Sequence, residues 1–238
     1  MPSRPLRIVV LLFPRVTQLD FTGPAQVFSK FPDTEVHLAW HNLDPVPTDA
    51  GWCIVPTTTL DECPQADILF VPGGAGAFDM FDDPNALAFL RTQGRKARWI
   101  TSVCTGSFTL AAAGLLTGYR ATSHWASLQM LEHFGVHPTP ERVVRDRNRI
   151  TGAWVTSGID FAFTLAAELF GDDEARRIQL AIEYDPEPPF DHGSPCKADP
   201  EEVKSIVAAT ENLRMAQVRR SSSALADAQH LSGLARFT

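Results

Sequence analysis

The chain has 238 residues, of which 44% are hydrophobic, and this is enough to bury a sizeable core. Its formal net charge of -7 excludes the clustered positive charge that binding to nucleic acid or to an anionic membrane surface requires. The apolar run near the N-terminus stops before Pro14 and is too short for a secretion signal or a membrane span. We therefore expect neither nucleic acid nor a membrane among the partners.

The four cysteines are far apart, and none of them forms a C-x-x-C pair. They are Cys53, Cys63, Cys104 and Cys196. In a chain without a secretion signal, this usage is typical of reduced thiols and predicts a cytoplasmic protein. The histidines lack the spacing of metal ligands, so no metal site is expected.

Short apolar runs alternate with helical patterns along the first two thirds of the chain. Runs rich in Val and Ile predict strands at 6–12, 35–40, 67–72 and 98–103. Helical patterns occur at 24–31, 84–97, 106–116, 125–134 and 158–170. Continuous rather than alternating hydrophobicity indicates strands that are covered on both faces. The order predicts an α/β fold with a doubly wound, mostly parallel sheet and helices on both faces.

The segment from residue 184 onwards differs in composition from the rest of the chain. Residues 184–202 are dense in proline and cannot form a helix interior or a central strand. A last helix is predicted at 201–217, and the serine-rich start of 218–238 indicates a partly ordered tail. We expect one α/β domain over residues 1–217.

The stretch WITSVCTGSF places a cysteine where a strand is predicted to meet a helix. Ser102 and Gly106 flank Cys104 at a distance of two residues, and small neighbours are what a sharp strand-to-helix turn needs. Such a turn exposes its corner residue at the edge of the sheet where ligands bind. The following helix start should lower the thiol pKa, which favours a nucleophile. The alternative is that Cys104 fills space in the core, as buried cysteines often do.

Asp20 is a second candidate, in the stretch QLDFTGPAQVF. With a strand ending near Phe13 and a helix opening at Pro24, Asp20 is predicted in the first strand-to-helix connection, at the same sheet edge. Its alternative role is to cap the helix. Thr22 and Gly23 are better placed for capping because they directly precede the proline.

Glycines follow the third predicted strand, in VPGGAGAF. Backbone N–H groups at Gly73 and Gly74 are expected to be free to bind a developing negative charge. The spacing matches neither a dinucleotide fingerprint nor a Walker loop. Gly158 and Ile159 open a later helix and are candidates for the border of the same pocket, because helix N-termini collect at that edge.

Several stretches together resemble the ThiJ/PfpI superfamily of flavodoxin-like proteins with a cysteine on a nucleophile elbow. They are QLDFTGPAQVF, DILFVPGG, SVCTGSFTLAAAGLL, ATSHWASLQML, VTSGIDFAFTLAAELFG and EYDPEPPFDHGSP, and the similarity covers residue 6 to about 200. Within the superfamily, the chain is similar to members that hydrate isonitriles.

The resemblance implies a role for each matching residue. Cys104 would be the nucleophile, Asp20 the acid and base, Thr105 a neighbouring polar contact, and the backbone around Gly73 and Gly74 part of the pocket. It also implies a homodimer that needs no cofactor. Members with protease-like or glyoxalase-like activity tend to have His after the cysteine and Glu in the first loop. Thr105 and Asp20 stand at those positions here, which argues against these activities.

Hydration of an isonitrile requires a proton and a nucleophile at the same terminal carbon, which Asp20 and Cys104 could supply. As a like-charge pair they should titrate together, and we expect protonated Asp20 with thiolate Cys104 to be the productive form. His124, in ATSHW, is expected to be structural. Two alternatives stay open: a ligand-sensing domain like that of AraC-type regulators, and another cysteine-dependent hydrolase or hydratase. The sensor lacks an evident DNA reader, because 38 residues that are not strongly basic follow Pro200.

Overall fold

A computed structural model describes residues 4–234 of the chain. The strands are β1 (Leu6–Leu11), β2 (Thr34–Trp40), β3 (Val46–Pro47), β4 (Cys53–Ile54), β5 (Thr58–Thr59), β6 (Ile68–Val71), β7 (Trp99–Val103), β8 (Arg120–Ala121), β9 (His137–Pro138), β10 (Val143–Asp146) and β11 (Arg149–Gly152). The four runs predicted as buried strands correspond to β1, β2, β6 and β7. Their boundaries agree because consecutive Val and Ile residues bounded by turn formers favour extended backbone.

Six α-helices and two 3₁₀ helices lie in the described part of the chain. They are α1 (Gln18–Phe28), α2 (Pro84–Gly94), α3 (Gly106–Ala112), α4 (Ser157–Phe170), α5 (Asp172–Ala181) and α6 (Pro200–Leu234), with 3₁₀ helices at Ala75–Asp82 and Trp125–Phe134. Pro84 begins α2 as expected, and Asp83 caps it by accepting a hydrogen bond from the N–H of Ala86 at 2.9 Å.

A seven-stranded sheet carries the fold, in the order β10-β11-β7-β6-β1-β2-β5. Among the described strands of this sheet, β10 and β11 pair antiparallel and the other neighbours pair parallel. After β1, the chain adds β2 on one side of that strand and later adds β6 on its other side. The crevice where the strand order reverses is therefore at the carboxyl ends of β1 and β6, which is where open α/β sheets bind ligands.

Helices cover both faces of the sheet. On one face α4 packs against α1, β7 and β11, and on the other α2 and α3 pack against β6. The rings of Phe70 and Phe161 stack at 5.5 Å between their centroids, and Phe28 meets both at steep angles. These buried aromatic contacts fix α1 and α4 against the centre of the sheet. The doubly wound, flavodoxin-like α/β prediction is confirmed.

The last helix is longer than the sequence predicted. It starts at Pro200, next to the expected start, but continues to Leu234 through the residues that were assigned to a partly ordered tail. Val218, one residue beyond the predicted end, is fully buried, and α6 packs against α3 and both 3₁₀ helices. Contacts with the rest of the protein therefore stabilise a helix in a segment whose weak sequence pattern did not predict one. The predicted tail's residues 235–238 lie outside the described residues.

None of the helices in this part of the chain combines the length and the apolar character that crossing a bilayer takes.

Candidate active site

Cys104 occupies the corner between β7 and α3. Its φ angle is 54°, a left-handed conformation that residues other than glycine rarely adopt. Two hydrogen bonds hold the backbone there: the N–H of Cys104 donates to the carbonyl of Gly152 at 2.9 Å, and Ser123 Oγ donates to the carbonyl of Cys104 at 2.9 Å. The predicted nucleophile elbow is therefore present.

The small residue after the corner is needed for close packing. A Cβ atom at Gly106 would lie 2.1 Å from the carbonyl oxygen of Val71 and 2.6 Å from that of Pro72. The start of α3 can therefore lie directly against the end of β6 only because position 106 carries no side chain. This contact brings the loop after β6 to the elbow.

The start of α1 was predicted incorrectly. The helix begins at Gln18, so Asp20 lies in its first turn and Pro24 lies inside the helix rather than at its start. Pro24 has no N–H, yet the helix continues, and the N–H of Ser29 bonds the carbonyl of Ala25 at 2.9 Å. The alternative in which Asp20 caps a helix at Pro24 is thereby removed.

The carboxyl group of Asp20 is completely buried at the ligand-binding edge of the sheet. Its Oδ2 atom accepts a hydrogen bond from the N–H of Gly73 at 3.0 Å. Its Oδ1 atom has no well-formed hydrogen bond to any described residue. A buried carboxylate oxygen without a partner is costly, and at an active site it is an acceptor left for a substrate or a transferred proton.

The two glycines after β6 position other groups rather than present free amides. The N–H of Gly73 is used by Asp20, and the N–H of Gly74 donates to Thr105 Oγ1 at 2.8 Å. Thr105 Oγ1 in turn donates to the carbonyl of Gly74 at 2.9 Å. The expectation that these amides are free for an anion is therefore wrong, because neighbouring side chains already satisfy them.

Gly73 lies at the centre of the site. A Cβ atom there would be 2.5 Å from Oδ2 of Asp20, 2.7 Å from the backbone N of Thr105 and 2.8 Å from Cβ of Cys104. Since β6 lies between β1 and β7, the loop that contains Gly73 lies between Asp20 and Cys104. The structure thus brings together these four residues from three separate segments.

Burial controls the charges of the thiol and the carboxyl group. Burial raises the pKa of Asp20 to about 7, against the lowering effects of the Cys104 side chain and the Gly73 N–H, and the charge of Asp49 raises it further. The pKa of Cys104 is raised well above its usual value by burial and by the negative charge of Asp20, while the Thr105 N–H opposes this increase. The predicted lowering of the thiol pKa is wrong, because desolvation exceeds the effect of the helix N-terminus.

The interaction between the two groups shifts their pKa values in opposite directions. The hydrogen bond with the Cys104 side chain lowers the pKa of Asp20, whereas the negative charge of Asp20 raises the pKa of Cys104. The pair therefore titrates together, and protonated Asp20 beside a Cys104 thiolate stays a prediction for the productive form.

Gly158 and Ile159 lie at the start of α4, where they contact α1. A Cβ atom at Gly158 would lie 3.0 Å from Cγ of Pro24, and Cγ1 of Ile159 lies 3.1 Å from the Cβ position of Gly23. Both contacts are one helical turn after Asp20. The two residues therefore border the helix that carries the carboxyl group, and their contact with a substrate remains a prediction.

His124 is a structural residue by its contacts. Its Nδ1 atom accepts a hydrogen bond from the N–H of Ala126 at 3.3 Å and thereby caps the 3₁₀ helix that follows. Burial, together with the positive charge of Arg214, lowers the pKa of His124 below its usual value. The ring is therefore neutral near neutral pH.

The sequence did not point to Arg214, whose positive charge lowers the pKa of both His124 and Cys104. It lies on α6, more than a hundred positions after the elbow in the sequence. No spacing pattern connects it to Cys104, since its location depends on how α6 packs.

A small cavity of about 60 Å³ adjoins the segments that hold the elbow. Its walls include Ser123, whose hydroxyl bonds Cys104, and Ala153, which follows Gly152. Trp125, Leu128 and Trp154 also line it, whereas Cys104 and Asp20 do not. The described residues contain no group of three or more His, Cys, Asp or Glu side chains arranged to bind a metal ion.

A thiol on a strained elbow at the switch point of a doubly wound sheet, with a buried carboxyl group beside it, defines a class of cysteine-dependent α/β proteins. The sequence profile of the DJ-1/PfpI family matches residues 6–168. The chain belongs to that family.

Individual relatives agree with this assignment. The chain is 53% identical to an isonitrile hydratase from Pseudomonas putida over 190 residues, which are 80% of this chain and 83% of the relative. It is similar to the crystal structure of a ThiJ/PfpI family protein from Pseudomonas syringae, with a TM-score of 0.87, 42% identity and coverage of 92% and 90%. It is also 34% identical to the HTH-type transcriptional regulator GbdR from Pseudomonas aeruginosa, over 60% of this chain and 39% of the regulator.

Proposed function

We propose that this protein catalyses the hydration of isonitriles, R-N≡C, to N-substituted formamides. The observation that carries the proposal is the pairing of the Cys104 thiol with the buried carboxyl group of Asp20, which alters the pKa of both groups. The 53% identity to an isonitrile hydratase across most of both chains supports the same reaction.

The chemistry of the substrate explains why one thiol and one carboxyl group suffice. The terminal carbon of an isonitrile must gain both a proton and a nucleophile, so an acid and a sulfur atom have to reach the same atom. No amine leaves in this reaction, and a separate general acid for a leaving group is therefore unnecessary. We infer that Asp20 and Cys104 meet this requirement, because Oδ2 of Asp20 and Cβ of Cys104 lie 2.5 Å and 2.8 Å from the same Cβ position at Gly73.

In the first step, Cys104 attacks the terminal carbon while its proton passes through Asp20 to that same carbon. The Asp20 carboxylate accepts the thiol proton as the S–C bond forms, and the resulting carboxylic acid delivers it. The product is a thioimidate, R-N=CH-S, attached to Cys104. All atoms of the isonitrile and of the thiol are retained in this intermediate.

In the second step, Asp20 acts as a base again and removes a proton from water as the water attacks the thioimidate carbon. That proton goes to the substrate nitrogen, and collapse of the tetrahedral adduct breaks the C–S bond. A second water proton returns to the sulfur. The products are R-NH-CHO and the free thiol, so that one water molecule is consumed in each turnover.

The shape of the site suits a narrow reacting group. The Cys104 side chain is 4% exposed, so the group that reaches it has to be slender, as the linear -N≡C group is.

The proposal is tested by following formamide formation from a simple isonitrile with three variants. Cys104→Ser should remove activity, and Asp20→Asn should reduce kcat by about 10² to 10⁴, the contribution of general acid-base catalysis. Cys63→Ser is a matched control, because that half-buried thiol, whose pKa burial raises to about 11, is not part of the pair. Normal turnover in Cys104→Ser or Asp20→Asn would exclude the corresponding residue from the mechanism.

A ligand-sensing role is the second candidate, favoured by the similarity to a transcriptional regulator over 60% of this chain. A sensor would bind a small molecule without converting it. An isonitrile that forms formamide with many turnovers per protein molecule supports the enzyme, whereas binding without product supports the sensor.

We also propose that the protein is a cytoplasmic homodimer. Its four cysteines are free, as expected for a reducing compartment. The exposed apolar side chains of Leu43, Trp52 and Val55, close together in sequence around β3 and β4, provide surface that a partner copy could cover. Light scattering after size exclusion would measure the mass, and a monomer at micromolar concentration would contradict the dimer. Cell fractionation would test the location.

A further inference from the structure

Arg214 is a partly buried cation with neutral partners. Its guanidinium donates a hydrogen bond to Ser127 Oγ at 2.8 Å and lies 4.5 Å from the centroid of the Phe78 ring. No carboxylate pairs with it among the described residues. Burying part of a guanidinium without a counter-charge costs free energy, so a buried position of this kind calls for an explanation.

Both partners of Arg214 belong to segments that border the elbow. Phe78 lies in the 3₁₀ helix that follows the loop of Gly73, and its ring packs against Phe108 of α3 at 5.1 Å. Ser127 lies in the 3₁₀ helix that follows Ser123, whose hydroxyl bonds the carbonyl of Cys104. The guanidinium is thus fixed where these two segments converge beside α3.

The charge of Arg214 acts on the thiol. The pKa of Cys104, raised by burial and by Asp20, is lowered in turn by Arg214. Reciprocally, burial lowers the pKa of Arg214 and the negative charge of an ionised Cys104 raises it. The two groups therefore stabilise each other's charged forms.

We propose that Arg214 is a positioning residue that provides the counter-charge for the Cys104 thiolate as it forms, so that α6 is a working part of the active site. The proposal rests on Cys104 being the nucleophile of the proposed function. It adds a charge that sequence reasoning did not find and assigns a role to a helix outside the core of the sheet.

The other charged groups around the thiol cannot take this role. Asp20 on α1 is negative when ionised and opposes a thiolate, and the charge of Asp49, next to the start of α1, raises the pKa of Asp20. His124 is neutral near neutral pH because burial and Arg214 both lower its pKa. Among the described residues, Arg214 is the cation whose charge lowers the pKa of Cys104.

The test measures the pH dependence of Cys104 alkylation by iodoacetamide, with the labelled residue identified by peptide mass. Arg214→Gln keeps a donor for Ser127 but removes the charge, and Arg214→Lys keeps the charge. Arg219→Gln is the matched control, since Arg219 is an exposed arginine on the same helix. Thermal unfolding of each variant shows whether it is folded.

Arg214→Gln should raise the apparent pKa of Cys104 by about one unit, which lowers the alkylation rate about tenfold at pH values below that pKa. Arg214→Lys should stay close to the original profile, and Arg219→Gln should not change it. An unchanged profile in folded Arg214→Gln would overturn the proposal. So would equal shifts in the Gln and Lys variants, because they would show an effect of shape rather than of charge.

Because alkylation requires no isonitrile, this experiment succeeds or fails independently of the proposed reaction. A shifted profile in a protein that does not form formamide would retain the counter-charge role and reject the hydratase. If the protein forms formamide but Arg214→Gln leaves the alkylation profile unchanged, the hydratase is retained and the counter-charge role is rejected.

Discussion

The backbone N–H of Gly73 donates a 3.0 Å hydrogen bond to Oδ2 of Asp20, which joins the loop after β6 to the helix after β1. This hydrogen bond holds the two segments together at the centre of the site. It orients one carboxylate oxygen and leaves the other, Oδ1, without a well-formed partner among the described residues.

Replacing Gly73 by alanine should damage the site more than the fold. The added Cβ would lie 2.5 Å from the Asp20 carboxylate, so that the carboxyl group or the elbow has to move. A displacement near 1 Å at reacting groups can cost about 100-fold, and we expect kcat/KM for isonitrile hydration to fall by at least about that factor. Gly193→Ala is the control, because nothing lies within 4 Å of a Cβ atom there. Activity close to normal in Gly73→Ala would mean that the close approach is not required.

Asp20 should make the protein less stable as pH rises. Burial raises its pKa from 3.8 to about 7 in the folded state, so between these values the folded protein binds more protons than the unfolded chain. The contribution of Asp20 is then fully present below the unfolded pKa and is lost as pH rises through the folded one. The loss is of the order of 4 kcal/mol, at 1.36 kcal/mol per pKa unit.

This contribution is measured as a difference between proteins, since other groups titrate in the same range. Urea unfolding of the unmodified protein and of Asp20→Asn, repeated across the acidic to neutral range, isolates it. The free energy of unfolding of the unmodified protein should fall relative to that of the variant. Parallel curves for the two proteins would show that Asp20 titrates as an ordinary exposed carboxyl group.

Thr105→Val should cost both stability and activity. The hydroxyl group accepts from the N–H of Gly74 and donates to its carbonyl, which also accepts from the N–H of Ala77 at 3.2 Å, so its loss leaves the buried N–H of Gly74 unpaired and costs about 1–3 kcal/mol. Loosening the loop of Gly73 and Gly74 should also lower kcat. Thr105→Ser keeps the oxygen and should behave almost normally.

Thr109→Val separates the two effects. Thr109 is buried in α3, the helix that follows Thr105, and its hydroxyl donates to the carbonyl of Ala77 at 3.0 Å. The Thr109→Val variant should be less stable by about 1 kcal/mol and should keep the kcat of the unmodified protein. A loss of kcat as large as in Thr105→Val would assign the effect to general destabilisation.

Strain at the elbow should be visible in inactive variants. Because φ at position 104 is 54°, alanine there is strained by about 1–2 kcal/mol and glycine is not. Cys104→Gly should therefore be at least as stable as Cys104→Ala in chemical unfolding. At the regular helical position Ala111, in α3, replacement by glycine should instead cost about 1 kcal/mol. A Cys104→Gly protein that is clearly less stable than Cys104→Ala would contradict a strained corner.

Local features of the sequence determined the strands, the alternation with helices and the corner at Cys104. Apolar runs and small residues around Cys104 and Gly106 act on neighbouring backbone, so their meaning can be read within a few positions. The edge of the sheet that carries Asp20 and Gly73 followed from the same pattern, because parallel strands direct their carboxyl ends to one side.

The tertiary structure decided what depends on burial and on distant contacts. Pro24 looked like the first residue of a helix, but α1 begins six residues earlier, at Gln18. The amides of Gly73 and Gly74 are not free, since Asp20 and Thr105 already occupy them. Desolvation raises the pKa of the thiol, where the helix start alone would have lowered it. The contribution of Arg214 depends on how α6 packs, a relationship between remote segments that no local pattern encodes.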